Sequence, residues 1–481
     1  MKRKFPILAG RETHSSIGQS SCLYGIAAFI LLAVGCAVGP DYKRPAVNAP
    51  EVFRGEPQTA TNSFGDLPWW QVFHDDALQR LVHTALTNNY DVRIAFTRME
   101  QARALAVQAR SQYYPQLSYT GGGGYGKNVG ANNTPSPTGA QGGVFTAYAS
   151  AAWELDVWGR IRRLSESARA QYFASQEARR DVTISVISQV AQDYFQLLAL
   201  QRELEIAKDT TNSFGQSLKI FTDRLKGGVA SRLETSSAEA LMDSAAATIP
   251  DIERQIALQE NQISVLLGEN PGPILRGDLP LESQELPEVP AGLPSALLER
   301  RPDIREAEQS LRSANAQVGV AAANFLPQLD LTGLFGTVSP ELAGLTSGSS
   351  IAWAAAASLT GPLFQGGRIK AQYQQAKAAR EQFALQYQAT VLNAFQQISD
   401  ALISREKLAA TRVQQARAVE AYKEAVNTAM KRYQLGNASY YEVLQEQQLL
   451  FPAENSLVQT EVNQLVNLVQ LYRALGGGWQ Q

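Results

Sequence analysis

The sequence predicts a mixed, mainly α fold built from two similar halves, each running helix, strand, strand, long helix and return helix. Three observations carry this. The chain repeats itself at a nearly constant offset, two long segments contain no proline, and four stretches alternate apolar with polar side chains.

The repeat is seen by laying NYDVRIAFTRMEQARALAVQARSQYYPQLSYT (89–120) beside RPDIREAEQSLRSANAQVGVAAANFLPQLDLT (301–332). Asp91 then matches Asp303, and Pro115, Gln116 and Leu117 match Pro327, Gln328 and Leu329, all at an offset of 212. Further on the offset is 208, pairing Gly159, Arg160 and Ile161 with Gly367, Arg368 and Ile369. Ile184, Ile187, Ala191 and Tyr194 recur as Leu392, Phe395, Ser399 and Leu402, a 3-4-3 spacing that marks one helical seam. Arg224, Gly228, Ser231 and Glu234 recur as Arg432, Gly436, Ser439 and Glu442. The halves are placed at 86–285 and 286–481, after a signal peptide (1–35) and an N-terminal equatorial segment (36–85).

Helices are expected at about 158–226, 231–267, 366–433 and 439–475. No proline interrupts the first or third of these, and at ~1.5 Å per residue each spans on the order of 100 Å, too long for a compact core. Their Ala- and Gln-rich composition with a narrow apolar seam suits helices packed side by side. Residues 268–302, rich in Pro and Gly, form the crossover between halves.

Strands are expected at about 115–121, 144–156, 327–336 and 350–361. In VFTAYASAAWELDV, the residues Phe145, Ala147, Ala149, Ala151, Trp153, Leu155 and Val157 make one apolar face; Ile351, Trp353, Ala355, Ala357 and Leu359 repeat it. Lengths near ten residues with one lipid-compatible face fit tilted membrane strands, with a core sandwich as the competing reading. An open edge in lipid leaves backbone groups unpaired at several kcal/mol each. Four strands therefore need other copies of the chain, eight strands from a dimer or twelve from a trimer, and periodicity does not choose. The stretches 121–143 and 337–350, rich in Gly, Ser, Pro and Asn, read as external loops. The glycine run at 121 lacks the Gly-Lys-Ser/Thr and helix start of a phosphate cradle.

At the N-terminus Lys2, Arg3 and Lys4 precede an apolar run from Leu23 to Gly35 that is short for a membrane span and stops at Cys36, the pattern of a secretory signal. LLAVGC resembles a bacterial lipobox, which makes Cys36 the acyl anchor; Ala37 in place of Asp favours sorting to the outer membrane. A single acyl chain anchors only marginally, so a second membrane attachment is expected. A formal charge of -2 gives no nucleic-acid footprint. Three histidines, of which His74 and His83 read as surface residues, and two cysteines exclude a zinc cluster or disulfide framework. No nucleophile, histidine and acid set points to an enzyme, and no cofactor or metal is expected.

The lipobox with GPDYKRP (39–45), PWWQVFHDDALQRLV (68–82), the duplicated PQL, WELDVWGR, RRPDIREAE and RYQLGNASYYEVL together resemble the TolC-like outer-membrane efflux factors, in their lipoprotein (NodT) branch. The resemblance implies a homotrimer: four strands per chain make a twelve-stranded outer-membrane β-barrel, joined to a long periplasmic α-helical barrel. It implies a periplasmic membrane-fusion adaptor and an inner-membrane pump of the resistance-nodulation-division type as partners. A protein secretion (type I) outlet shares the architecture, and a structural lipoprotein or adaptor without a pore is the alternative of another class.

By the same resemblance the periplasmic gate lies at the glycine turns RLKGGVASRLE and RYQLGNASYYE, with Tyr433 three before the glycine and Glu442 six after it, and Glu234 as the equivalent acid. The family's second acidic position is Gln445 here, with Glu446 beside it. A ring of such carboxylates favours cations, and pairing with Arg432 or Arg224 can hold the closed state. Gly227, Gly228, Ser231, Gly436 and Ser439 are the expected adaptor-docking tips. Asp193 and Asp400 are expected in the wall.

Overall fold

A computed structural model describes residues 37–477, apart from 51, 56–63, 65–66, 73, 128–140, 276, 278–279 and 285–296. The expected signal peptide and Cys36 lie outside the described residues. Two helices, α1 (Asp76–Asn88) and α2 (Tyr90–Ser111), lead into β1 (Gln116–Lys127) and β2 (Gln141–Leu155), followed by α3 (Arg160–Lys226) and α4 (Arg232–Leu266). The second half supplies α5 (Pro302–Ala323), β3 (Gln328–Ser339), β4 (Ile351–Thr360), α6 (Arg368–Gln434) and α7 (Tyr440–Ala474). The duplication is metrical. α2 and α5 have 22 residues each, β1 and β3 have 12, α3 and α6 have 67, and α4 and α7 have 35.

The described residues divide into two compact units, one drawn from 37–43, 104–170 and 312–381, the other from 44–103, 171–311 and 382–477. The first holds an antiparallel sheet in the order β1-β2-β3-β4. Its register aligns Tyr119 with Ala149, Ala149 with Phe335, and Phe335 with Trp353. One face is thereby largely apolar: Leu117, Tyr119, Phe145, Trp153, Leu331, Phe335, Ile351, Trp353 and Leu359 share it, with Lys127, Thr337 and Ser339 on the same face toward the strand ends away from the helices. The other carries Ser118, Thr120, Thr146, Ser150, Thr332 and Ser358 among small residues, with Ser118 and Ser150 hydrogen-bonded at 2.7 Å.

β1 and β2 run into the 121–143 stretch read from sequence as a loop, and β3 runs to Ser339. Aromatic cover is the reason. Gly123 lies opposite Phe145, whose ring occupies the place of a Cβ at Gly123, and Gly143 shelters under the same ring. In the same unit, Ile161 and Arg162 donate their amides to Asp156, which starts α3. Residues 38–41 lie against this start: Val38 donates to the Trp158 carbonyl, Asn315 to the Pro40 carbonyl, and Arg163 pairs with Asp41 at 2.7 Å.

In the second unit the two halves close by equivalent contacts. Asn89 caps α2 by accepting from the amides of Asp91 and Val92, and its Nδ2 donates to the last carbonyl of α4, Leu266. Arg301 occupies the matching place in the other half and donates to Ala474, the last residue of α7. Gly268 and Gly476, both at positive φ, end those helices where a Cβ would strike Asn88 and Arg300. Asp75 is buried. It caps α1 and accepts from Tyr194 Oη at 2.8 Å and Gln284 Nε2 at 3.1 Å.

The helical seam needs one correction. Ile184, Ile187, Ala191 and Tyr194 are buried as expected, but Leu392 is exposed and Ser399 is only half-buried. The buried row of α6 in this stretch is Val391, Ala394, Phe395, Ile398, Ala401 and Leu402. Its first members sit one residue earlier than the matched pattern, because the two long helices present slightly rotated faces to their neighbours.

The sheet yields a specific expectation. A Cβ at Gly336 would lie 2.3 Å from the Ala147 carbonyl and from Tyr148 Cα, whereas one at Gly121 meets nothing within 4 Å. Gly336→Ala should cost about 1–3 kcal/mol by forcing β2 from β3, and Gly121→Ala should stay within about 0.5 kcal/mol. Thermal unfolding of the purified protein compares the two; equal melting temperatures would count against this register.

Candidate functional site

The two glycine turns lie in the second unit, where α3 passes into α4 and α6 into α7. Gly228 and Gly436 adopt φ of 74° and 77° with open space around a would-be Cβ, so backbone conformation alone requires glycine there. Val229 and Asn437 reach back to the carbonyls of Arg224 and Arg432, closing the two helix ends alike. Gly227, Ser231 and Ser439 are exposed at these turns.

Each acid six residues after its glycine has a local role. Ser231 Oγ accepts from the Glu234 amide while the Glu234 carboxylate accepts from the Ser231 amide at 2.7 Å, a capping box that starts α4. Glu442 accepts from the Ser439 amide at 3.4 Å and also faces Arg432 across 3.5 Å, with both side chains about half exposed. Arg432 further donates to the Asn437 carbonyl, so one guanidinium ties the end of α6 to the turn and to α7. Glu446 is half-buried.

Tyr433 stands differently from its expected place at an aperture. It is 6% exposed and belongs to a cluster with Phe221, Ala238, Ala429, Tyr440 and Val443 that joins the two hairpins. Arg224 lies 4.4 Å above its ring. Burial pushes the Tyr440 phenol up, and its hydroxyl has no hydrogen-bond partner. The sequence reading missed Phe221 and Tyr440, which have no motif of their own. It also missed an apolar surface on the turns, where Val229, Leu233, Leu435 and Tyr441 are all more than two-thirds exposed. Helical periodicity assigns such residues inward only when a partner is present.

Of the mid-helix acids, Asp400 is exposed, with Gln396 donating to it at 3.3 Å. Asp193 is buried, accepts from Gln189 and Gln262, and has its carboxyl pushed up by burial. A second group of carboxylates was not foreseen. Glu177 and Asp181 on α3 face Asp303 and Glu306 on α5. Arg305 and Arg180 both hold Glu177 Oε1, Arg301 holds Asp303, and Glu177 Oε2 is buried without a partner. Burial first, then Asp181, Asp303 and Glu177, push Glu306 up to about 7. His74 and His83 are exposed, and among the described residues no three potential metal ligands converge. No described helix is long and apolar enough to cross a membrane.

Comparison with known proteins gives a consistent result. A family model described as outer membrane efflux protein matches residues 81–269 and again 293–477, one match per half. The toluene efflux pump outer membrane protein TtgC of Pseudomonas putida is 35% identical over 465 residues, 95% of each chain. The cation efflux system protein CusC of Escherichia coli is 33% identical over 460 residues, 94% of this chain and 97% of that one. Among solved structures, the open state of the Neisseria gonorrhoeae MtrE outer membrane channel superposes with a TM-score of 0.84 at 31% identity, covering 92% of this chain and 99% of that one.

The carboxylate group makes stability depend on pH. Glu306 holds its proton more tightly folded than unfolded, where its value is 4.5, so its favourable contribution is complete below about 4.5 and is lost as pH rises through about 7. Glu306→Gln should therefore raise the melting temperature at about pH 8 and leave it unchanged near pH 4. A shift of equal size at both pH values would remove Glu306 as the titrating group.

Proposed function

The chain belongs to the outer membrane efflux protein family, and from that membership we propose that three copies form the outer-membrane outlet of a tripartite efflux system. The observation that carries the proposal is the sheet: one face apolar along most of its length, strands of 10 to 15 residues, and β1 and β4 left as edges. In lipid those edges must be paired, and pairing β4 of each copy with β1 of the next closes twelve strands. The apolar face then meets lipid and the small polar face lines the lumen. The helical unit supplies the periplasmic conduit, and Cys36, outside the described residues, is the acyl anchor.

A periplasmic adaptor and an inner-membrane pump of the resistance-nodulation-division type complete the system. The adaptor docks on the turns around Gly227, Gly228, Ser231, Gly436 and Ser439. Their exposed Val229, Leu233, Leu435 and Tyr441 support this with apolar area that the chain itself leaves uncovered. The gate is assigned to the same end. Arg432 and Glu442 hold the resting turn, Glu234 and Glu446 add negative charge, and Tyr433 acts through the packing of its cluster rather than as an exposed plug.

Transport is tested in cells lacking their own outlets, by accumulation of dyes and antibiotics with the protein alone and then with its adaptor and pump. Accumulation should fall only with all three. Unchanged accumulation with trimers in the outer membrane would favour protein secretion instead. In planar bilayers, Arg432→Ala and Glu442→Ala should each raise single-channel conductance by breaking the same contact. Unchanged conductance in both would place closure elsewhere.

A further inference from the structure

The two strand-to-helix junctions differ in a way that the duplication makes informative. After β2 the chain needs only Asp156–Gly159 to enter α3, and Trp158 in this junction donates its indole N–H to the Pro327 carbonyl at 2.7 Å. Pro327 immediately precedes β3, the strand that pairs with β2. An aromatic side chain after one strand is thus fastened to the residue before its neighbouring strand.

After β4 the junction is longer, Gly361–Gly367, with the sequence GPLFQGG. Leu363 and Phe364 project from it at 104% and 87% exposure, the extreme among the large apolar residues of this unit apart from Tyr119. The loop's form is set at both ends. Gly361 packs on Pro327, and Gly366 and Gly367 take φ of 54° and 85°. Adjacent apolar residues held almost fully in the open by a shaped loop need a covering surface.

β4 is a sheet edge, and the duplication names what lies beyond it. Pro115 precedes β1 as Pro327 precedes β3, at the repeat's offset of 212. Beside Pro115, Tyr114 is 59% exposed and Leu117 is 80% exposed. We propose that Leu363 and Phe364 form an intersubunit latch, seated by apolar packing on Tyr114, Pro115 and Leu117 of the next copy, in the place between subunits that Trp158 holds beside Pro327 within one. The inference rests on the trimer reading above and gives it a residue-level interface. β1 and β4 are the only strand edges available among the described residues, and both junctions lie at the ends where those strands meet helices. The occupant is therefore a second copy of this chain, and the competing occupant is the acyl region of the membrane.

The test uses the full-length protein in native outer membranes. Phe364→Cys combined with Tyr114→Cys should oxidise to covalent dimers and trimers joining most of the chains, with each single cysteine variant and the pair Phe364→Cys with Leu342→Cys as unlinked controls. Leu363→Ser with Phe364→Ser should lower the temperature at which trimers dissociate, while a purified monomer keeps its helical circular dichroism. In a parallel arm, the emission that Phe364→Trp adds over the unmodified protein is read in vesicles of brominated phosphatidylcholine, because Trp153 and Trp353 on the apolar face are quenched in both; no quenching of the added emission is expected. Intact trimers without the cross-link, an unchanged dissociation temperature, or strong bromine quenching of the added emission would each overturn the latch. Absence of any trimer in the unmodified protein would instead overturn the assembly on which it rests.

Discussion

The backbone edges of β1 and β4 are the constraint from which the rest of the architecture follows. A helix satisfies its own amides and carbonyls, so α3 and α6 can be of any length that packing tolerates. A four-stranded sheet cannot, and its outer strands present rows of donors and acceptors that lipid will not meet, at several kcal/mol each. Water meets them well enough before insertion. Assembly and membrane entry are therefore coupled: the sheet is tolerable as an open ribbon only while it is wet, and its apolar face is tolerable only once it is dry. Trp158 on Pro327 shows how one chain already joins two hairpins from different halves.

Much of this was legible in the residues because duplication acts as a ruler. Equal lengths of 67 and 35 residues for the paired long and return helices follow from one offset that holds from Gly159 to Glu442. Contacts that are conserved in role but not in residue type were illegible. Asn89 and Arg301 share no chemistry beyond an N–H donor, yet each closes a return helix by reaching its last carbonyl. The extent of β1 and β2 was hidden for a related reason. Glycine has no face to alternate, so only the ring of Phe145, paired across the sheet, shows why the run continues as strand.

At the turns the sequence located the right residues and left their local duties undetermined. Glu234 and Glu442 are first-turn acids that stabilise helix starts through the peptide amides, and the same placement brings their carboxylates to the two glycine turns. One residue thus serves capping and charge together. Tyr433 resisted reading because an aromatic near a turn has no period to reveal whether it faces solvent or a second hairpin 200 residues away in sequence; Phe221 decides the matter by contact. Glu306 was beyond sequence altogether, since its perturbation comes from burial and from acids on another helix.

The sheet's second face bears on cargo. Apart from Val144, Tyr148, Leu334 and Val338, and Gln116 and Gln328 at the strand starts, it is built from alanine, glycine, serine and threonine, with Glu154 held by Arg160 and Asp330 opposite it near the helix junction. Small uncharged groups offer few directional contacts, and specific binding in a conduit slows release as much as it aids entry. The directional chemistry of the chain is concentrated instead at the sheet edges, with their open backbone groups, and at the two glycine turns, with their paired and capping charges.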